Sequence, residues 1–329
     1  MKVLFIGGTG VISSACASLV LERGIDLYLL NRGQSARPIP SGAKVLHGDI
    51  RESGSAHAAL AGQRFDAVVD WIVFTPDQLE ADLELFRGRT GQYIFISSAS
   101  AYQTPPAALP VTEATLLDNP YWEYSRNKIA CEERLVRACR EEKFPMTIVR
   151  PSHTYDRALL PFHGGWTMME RMLQGKPVIV HGDGTSLWTL THNTDFAKGF
   201  VPLLGNPRAL GNAVHITSDE SLSWNQIYEA LARAAGVTPK LVHVPSELIA
   251  AYDPGWGASL LGDKMHSMVF DNTRIKRLAP GFTCTVPFAR GAEEIVAWYR
   301  ADPARRVVDP AFDALCDRII AAVQSAYPQ

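Results

Sequence analysis

Apolar residues along the chain fall into short continuous runs, separated by longer stretches of mixed character. Val3–Ile6, Leu27–Leu30, Lys44–Leu46, Ala67–Val73, Tyr93–Ser97 and Thr147–Arg150 read as strands. Their apolar positions are consecutive rather than alternating, the pattern of strands buried on both faces. Between them, Ser13–Arg23, a helix around Asp77–Phe86 and a long one over Tyr121–Glu142 carry helical periodicity. Strands alternating with helices make right-handed βαβ crossovers, so the first half predicts an α/β fold with a doubly wound parallel sheet. After Arg150-Pro151 the texture changes. Gly, Pro, His and Trp cluster through Pro151–Trp188, with Gly164-Gly165-Trp166 and Gly182-Asp183-Gly184 as loop marks. Trp224–Ala235 and Glu293–Arg300 then read as separate helices in a less regular second portion.

Composition narrows the class. The 329 residues carry a net charge of −2, with no basic excess to advertise nucleic acid or an anionic membrane as a partner. The first apolar run stops at Gly7 after four residues, too short for the apolar region of a signal peptide. No stretch approaches the ~20 apolar residues of a spanning helix. The five cysteines (16, 131, 139, 284 and 316) are odd in number and form no CxxC pair, which argues against a disulfide framework or zinc ribbon. The nine histidines include no helical HxxxH pair, and no metal site is expected. A cytoplasmic protein with reduced thiols is the expectation.

Candidate chemistry begins at the first strand–helix junction. Gly7-Gly8-Thr9-Gly10-Val11-Ile12-Ser13 places glycines where a tight turn must let the backbone approach a pyrophosphate at a helix N-terminus. The third glycine of the usual fingerprint is Ser13, small enough to keep strand and helix close. At the end of the second strand, where an acid would bind a ribose 2′-hydroxyl, stand Asn31-Arg32-Gly33. An arginine there can hold a 2′-phosphate, which tilts the cofactor from NAD toward NADP. Asp49-Ile50, at the next strand end, suits a hydrogen bond to adenine.

Of ten tyrosines only Tyr124 has a lysine four residues on, Lys128, a spacing that puts both on one helical face. A phenol ordinarily titrates near ~10. A neighbouring ammonium and an oxidised nicotinamide would both favour the phenolate. Ser97-Ser98-Ala99-Ser100-Ala101-Tyr102 ends the preceding strand, where the active groups of a doubly wound sheet gather.

With these motifs in hand, the chain resembles the extended short-chain dehydrogenase/reductase family, the NAD(P)-dependent sugar epimerases and dehydratases. The matching residues are the 7–13 loop, Asp49, the 97–102 segment, Tyr124-Ser125-Arg126-Asn127-Lys128 and Arg150-Pro151-Ser152-His153-Thr154-Tyr155, with weaker similarity through Gly182–Ala197 and Asp271–Arg277. The resemblance implies a Rossmann domain over 1–150 and about 188–217, and a smaller α+β substrate-binding domain over about 151–187 and 218–329. It makes Ser98 the catalytic serine, Tyr124 the acid/base and Lys128 its ribose-binding modulator. Ser97 and Ser100 become supporting hydroxyls, and Pro151 and the backbone near His153 line the nicotinamide pocket. It also implies a homodimer through helices 77–86 and 121–142.

Two departures narrow the reading. Family dehydratases carry Asp-Glu directly after the catalytic hydroxyl residue, whereas Ala99-Ser100 follow Ser98, which argues against 4,6-dehydration. Trp188 stands where UDP-sugar members carry a diphosphate-gripping arginine, and Leu260-Leu261-Gly262-Asp263 replaces a second arginine-bearing stretch. Either Lys264 or Arg274 substitutes, or the substrate is not a conventional nucleotide diphosphate sugar. A sugar, glycoside, nucleoside or polyol stacked on Trp188 or Trp166, and bonded by Ser100, His153 or His192, fits the second option. Net oxidation or reduction and epimerisation remain equally open. The alternative is a cofactor-binding regulator or RNA-associated relative, since some atypical members share Asn-Arg-Gly after the second strand. Such regulators often lack the tyrosine–lysine pair that this chain keeps.

Overall fold

A computed structural model describes residues 1–35 and 37–326. Its first half alternates β1 (Lys2–Ile6), α1 (Val11–Glu22), β2 (Asp26–Asn31), β3 (Lys44–His47), α2 (Ser53–Ala59), β4 (Ala67–Asp70), α3 (Pro76–Phe86), β5 (Tyr93–Ile96), α4 (Glu123–Glu142) and β6 (Met146–Pro151). A seventh strand, Ala213–Ile216, completes one sheet in the order 213–216, β6, β5, β4, β1, β2, β3. Every pairing in it is parallel. Chain order reverses between β1 and β4, so a crevice opens at their carboxyl ends, where ligands of such sheets bind.

The apolar strands account for the layering. Val3, Phe5, Val69 and Ile94 face one core with Cys16, Val20 and Phe200, while Leu4, Ile6, Val68 and Phe95 face the other with Leu83, Cys131 and Leu135. A third core, built almost wholly from residues beyond 150, surrounds Trp166, Met169, Trp224, Phe288 and Ile319. The chain returns to the sheet side once more near its end, where Ile275, Ala279 and Phe282 join the α1 face.

Element boundaries depart from the periodicity for local reasons. The strand expected over Ala67–Val73 stops at Asp70, because the Asp70 carboxylate accepts the Ile72 amide and turns the chain. The helix expected from Tyr121 begins at Glu123, where Asn119 Oδ1 accepts the amides of Tyr121 and Trp122. The last predicted helix starts five residues early, at Phe288 after Pro287, and a final helix, Pro310–Ser325, has no counterpart in the sequence reading.

Two short pairings position the site. His153–Tyr155 runs parallel to Leu190–His192, and Leu187–Trp188 pairs antiparallel with Leu222–Ser223. Together they bring His153 and Trp188 to the carboxyl end of β6. All five cysteines are unpaired thiols. No helix among the described residues is long and apolar enough to cross a membrane.

Candidate active site

The cradle at the end of β1 is shaped by Gly7 and Gly8, with φ of +94° and +95°. Side chains rarely adopt that backbone, and a Cβ on Gly8 would lie 2.7 Å from Leu29 Cδ2. Gly10 caps α1, and its amide donates to Ser13 Oγ at 2.7 Å, so the serine in the third fingerprint position closes the turn itself. Thr9, Val11 and Ile12 complete the loop, and Asn193 Nδ2 donates to the Val11 carbonyl from the 193–200 helix. At the end of β2, Asn31 Oδ1 accepts the Gly33 amide, while Asn31 Nδ2 is buried with no partner. Arg32 is exposed at this corner, 3.6 Å from the Asp49 carboxylate, with Ile50 buried beside it in sequence. A side-chain-free cradle, a helix N-terminus and an unpaired amide donor fit a dinucleotide. Gly7, Gly8 and Gly10 would hold its pyrophosphate, Asn31 and Arg32 its ribose edge, and Asp49 and Ile50 its adenine end.

Beyond the cradle lies a cleft of about 270 Å³, walled by Ser98, Ser100, Trp122, Tyr124, Pro151, His153, Trp188, Asp263, Lys264, Met268 and Phe270 among others. Ser98 and Tyr124, separated by 26 positions in sequence, therefore meet on one surface. A hydroxyl relay supports them. Ser98 Oγ and Ser100 Oγ are 2.9 Å apart, and Ser125 Oγ donates to Ser100 Oγ at 2.8 Å. Asn119 Nδ2 donates to the Ser100 carbonyl and ties the segment to the Gly262 carbonyl. Ser97 is buried beneath, its hydroxyl unpartnered.

Lys128 lies one turn below Tyr124, almost wholly buried. Its Nζ sits 5.7 Å from the Tyr124 ring centre and donates to the carbonyls of Val73, at 2.5 Å, and Ile96, at 2.8 Å. Burial lowers its pKa to about 8. Burial raises that of Tyr124, against the opposing pull of the Ser98 hydroxyl, and the Asp263 carboxylate adds to the rise. The Lys128 ammonium, expected from the spacing to lower the Tyr124 pKa, is not among the influences on this phenol, which keeps its proton.

His153 accepts the Trp188 indole N–H on Nδ1 at 3.0 Å. An indole only donates, so this histidine is neutral with its proton on Nε2. Burial, then the Lys264 charge, lowers its pKa to about 3. Asp263 and Lys264, from the turn at 260–264, bring one carboxylate and one ammonium to the cleft, 3.4 Å apart. The Lys264 Nζ lies over the Trp122 and Trp188 rings.

Two sequence candidates fall elsewhere. Trp166 is a core residue, stacked on Tyr299 at 4.8 Å, because its helix turns that face into the third core. His192 caps the 193–200 helix, accepting the Thr194 amide, and lies 3.3 Å from Glu294. Neither lines the cleft. Of the two cations offered as arginine substitutes, Lys264 lines the cleft, whereas Arg274 bonds Glu113 and the Ala213 carbonyl. Trp122, Asp263, Met268 and Phe270 were not anticipated as site residues. The only sequence signal for Asp263 was the glycine–aspartate pair in the stretch aligned with the missing arginine.

The parallel sheet with its reversal point, glycine cradle and hydroxyl-lined cleft defines a doubly wound dinucleotide-binding protein of the Rossmann class. The chain belongs to the NAD-dependent epimerase/dehydratase family, whose profile matches residues 3–217. Among its relatives is the 2′-dehydrokanamycin reductase of Streptomyces kanamyceticus, 27% identical over 294 residues that cover 86% of this chain and 80% of that protein. A chloroplast stem-loop binding protein of Arabidopsis thaliana is 27% identical over 74% of this chain and 65% of its own. In structure the fold matches a UDP-glucose 4-epimerase of Thermus thermophilus solved with NAD, at a TM-score of 0.72 and 20% identity, over 91% of this chain and 99% of that one.

Proposed function

We propose that this chain interconverts a secondary hydroxyl and a ketone on a sugar-type ring by NAD(P)-dependent hydride transfer. The convergence of Ser98 and Tyr124 on one cleft, with Lys128 a turn below, carries this reading. When bound, the nicotinamide supplies or takes up the hydride. Tyr124 gives a proton to the ketone oxygen in reduction and removes it in oxidation, and Ser98 bonds the same oxygen. Lys128 holds the cofactor ribose, and His153 offers Nε2–H to a substrate hydroxyl. Pro151 and the backbone at His153 border the nicotinamide. The exposed Arg32 supports NADP over NAD.

The cleft supports a compact glycoside or nucleoside over a nucleotide diphosphate sugar. No arginine is among its lining residues, and Lys264 is already engaged by Asp263. Its volume lies just under the ~300–1,000 Å³ of sites for drug-sized ligands. The relative from Streptomyces kanamyceticus, a 2′-dehydrokanamycin reductase, agrees with such a substrate. The dehydratase reading has less support: no acid follows Ser98, and the single carboxyl among the lining residues, Asp263, is paired with Lys264. The regulator reading draws on the stem-loop binding relative, but leaves the Ser98–Tyr124–Lys128 set without a use. A cytoplasmic location accords with the five unpaired thiols.

The test is to isolate the protein, identify any nucleotide that copurifies, and follow nicotinamide absorbance with a panel of glycosides and their ketones. A net absorbance change marks a dehydrogenase or reductase. Product formation with retained nucleotide and no net change marks an epimerase. No turnover of any panel member, with an intact phenotype for Tyr124→Phe in cells and a lost one for a glycine-loop variant, would favour the regulator.

A further inference from the structure

Two carboxyl groups without a part in this chemistry lie beneath the cradle. Asp70 ends β4 and Asp82 sits in α3, and both are fully buried. Asp70 Oδ1 accepts the Ile72 amide at 2.6 Å, and Asp82 Oδ2 accepts the Tyr93 hydroxyl at 2.5 Å. One oxygen remains on each, Asp70 Oδ2 and Asp82 Oδ1, buried with no hydrogen-bond partner, and after burial the largest influence on the ionisation of each carboxyl is the other. An ionised carboxylate only accepts, so two of them cannot bond without a proton between them. We propose that Asp70 and Asp82 share one proton and, as a singly charged pair, position the 71–74 turn that accepts the Lys128 ammonium and walls the dinucleotide cradle.

The turn is fixed through its polar backbone atoms. Asp70 accepts the Ile72 amide, the Arg51 guanidinium donates to the Ile72 carbonyl, and Lys128 donates to the Val73 carbonyl. Trp71 and Ile72 are in turn the side chains nearest Gly7. Releasing Asp70 would free the stretch that contacts both the cradle and the lysine. The groups facing the pair are Arg51 from the loop before α2, Lys128 from α4 and Tyr93 from β5. Both cations favour one negative charge, while burial and mutual repulsion oppose two. The carboxyl pKa values are raised in the folded state above their unfolded values. This contribution to order is therefore held below the pair's upper ionisation and is lost as pH rises through it. The consequence for cofactor binding rests on the roles proposed for the 7–12 loop and Lys128. The shared proton itself does not.

The experiment compares the ligand-free protein with Asp82→Asn, Asp70→Asn and Asp82→Leu. At neutral pH, infrared difference spectra should show the carbonyl band of a protonated carboxyl in the wild type that is lost in either Asn variant. Asn supplies an N–H in place of the shared proton, so the Asn variants should keep hydrogen-exchange protection of residues 71–75. They should also lose the wild type's alkaline decline in that protection. Asp82→Leu should lose up to about tenfold in protection at every pH, the equivalent of one net hydrogen bond. An unchanged infrared band, or the same alkaline decline in wild type and Asn variants, overturns the proposal. Titration with NADH and NADPH is the separate arm. If neither nucleotide binds a wild type whose band and protection behave as stated, the cofactor reading falls and the proton-sharing pair stands.

Discussion

Tyr124→Phe is the sharpest perturbation of the proposed chemistry, because the structure separates its effect on catalysis from its effect on folding. The phenol hydroxyl neighbours Ser98, and Ser98 Oγ keeps Ser100 Oγ at 2.9 Å when that hydroxyl is removed. No buried donor is stranded, so the stability change should stay under about 1 kcal/mol. Catalysis should lose far more. A positioned general acid contributes about 10²–10⁴-fold, or roughly 3–5 kcal/mol of barrier at about 1.4 kcal/mol per decade. The assay is single-turnover reduction, with NADPH or NADH, of whichever sugar ketone supports wild-type turnover, alongside a thermal melt of both proteins. Burial holds the Tyr124 pKa above its usual value, so the wild-type reduction rate should stay level through neutral pH and fall only as the phenol ionises. That alkaline limb should vanish in the variant. A variant that melts like wild type yet loses less than about tenfold, well below the lower bound for a general acid, refutes the role.

Gly8→Ala should abolish dinucleotide binding in a fluorescence titration, since it needs a left-handed backbone and brings a methyl to 2.7 Å from Leu29 Cδ2. Its melting point should fall by the equivalent of about 1–3 kcal/mol of strain. Glu132→Gln should cost about 3–5 kcal/mol in a urea melt, because it strands the Arg150 guanidinium that the carboxylate grips at 2.9 and 2.5 Å inside the fold. Replacing both partners with apolar residues should recover much of that loss. Helices α3 and α4 present Ala81, Glu84, Arg126, Glu133 and Arg137 to solvent, and we propose, from the family resemblance, a homodimer in which these faces meet their copies. Light scattering should then give twice 36.1 kDa, and a monomer mass removes the proposal.

What was legible in the sequence was whatever local order or spacing encodes. Continuous apolar runs marked the six strands of the first half, since a strand covered on both faces needs no polar side. The glycine loop was legible because φ near +95° admits few other residues, and the Tyr124–Lys128 pair because one helical turn fixes their common face. The rest depended on contacts across the chain. Asp263 and Lys264 reach the cleft because the Gly262 carbonyl is bonded by Asn119, a link spanning 143 positions with no local pattern. Trp166 and Trp188 look alike in sequence. One faces the third core and the other, held by His153, borders the cleft, and only the pairing of 187–188 with 222–223 separates them. The end of β4 was misjudged because Trp71-Ile72-Val73 are apolar enough to extend a strand, and the feature that stops it is a carboxylate turned inward.

The charge state of the free cleft favours one direction of the proposed reaction. Tyr124 holds its proton, His153 is neutral, and Asp263 and Lys264 cancel. Reduction needs a proton on the phenol and a neutral reduced nicotinamide, both compatible with that state. Oxidation needs the phenolate, which burial and Asp263 disfavour until a positive charge enters the cleft. An oxidised nicotinamide brings that charge, so binding the oxidised cofactor and ionising Tyr124 are linked and each promotes the other. The reduced cofactor should therefore bind with little pH dependence across the range where Tyr124 ionises. The oxidised cofactor should bind more tightly as pH rises, and Tyr124→Phe should erase the difference. Parallel pH profiles for the two cofactor forms would show that the phenol lies too far from the ring to sense its charge, and the assignment of Tyr124 as acid and base would fail with it.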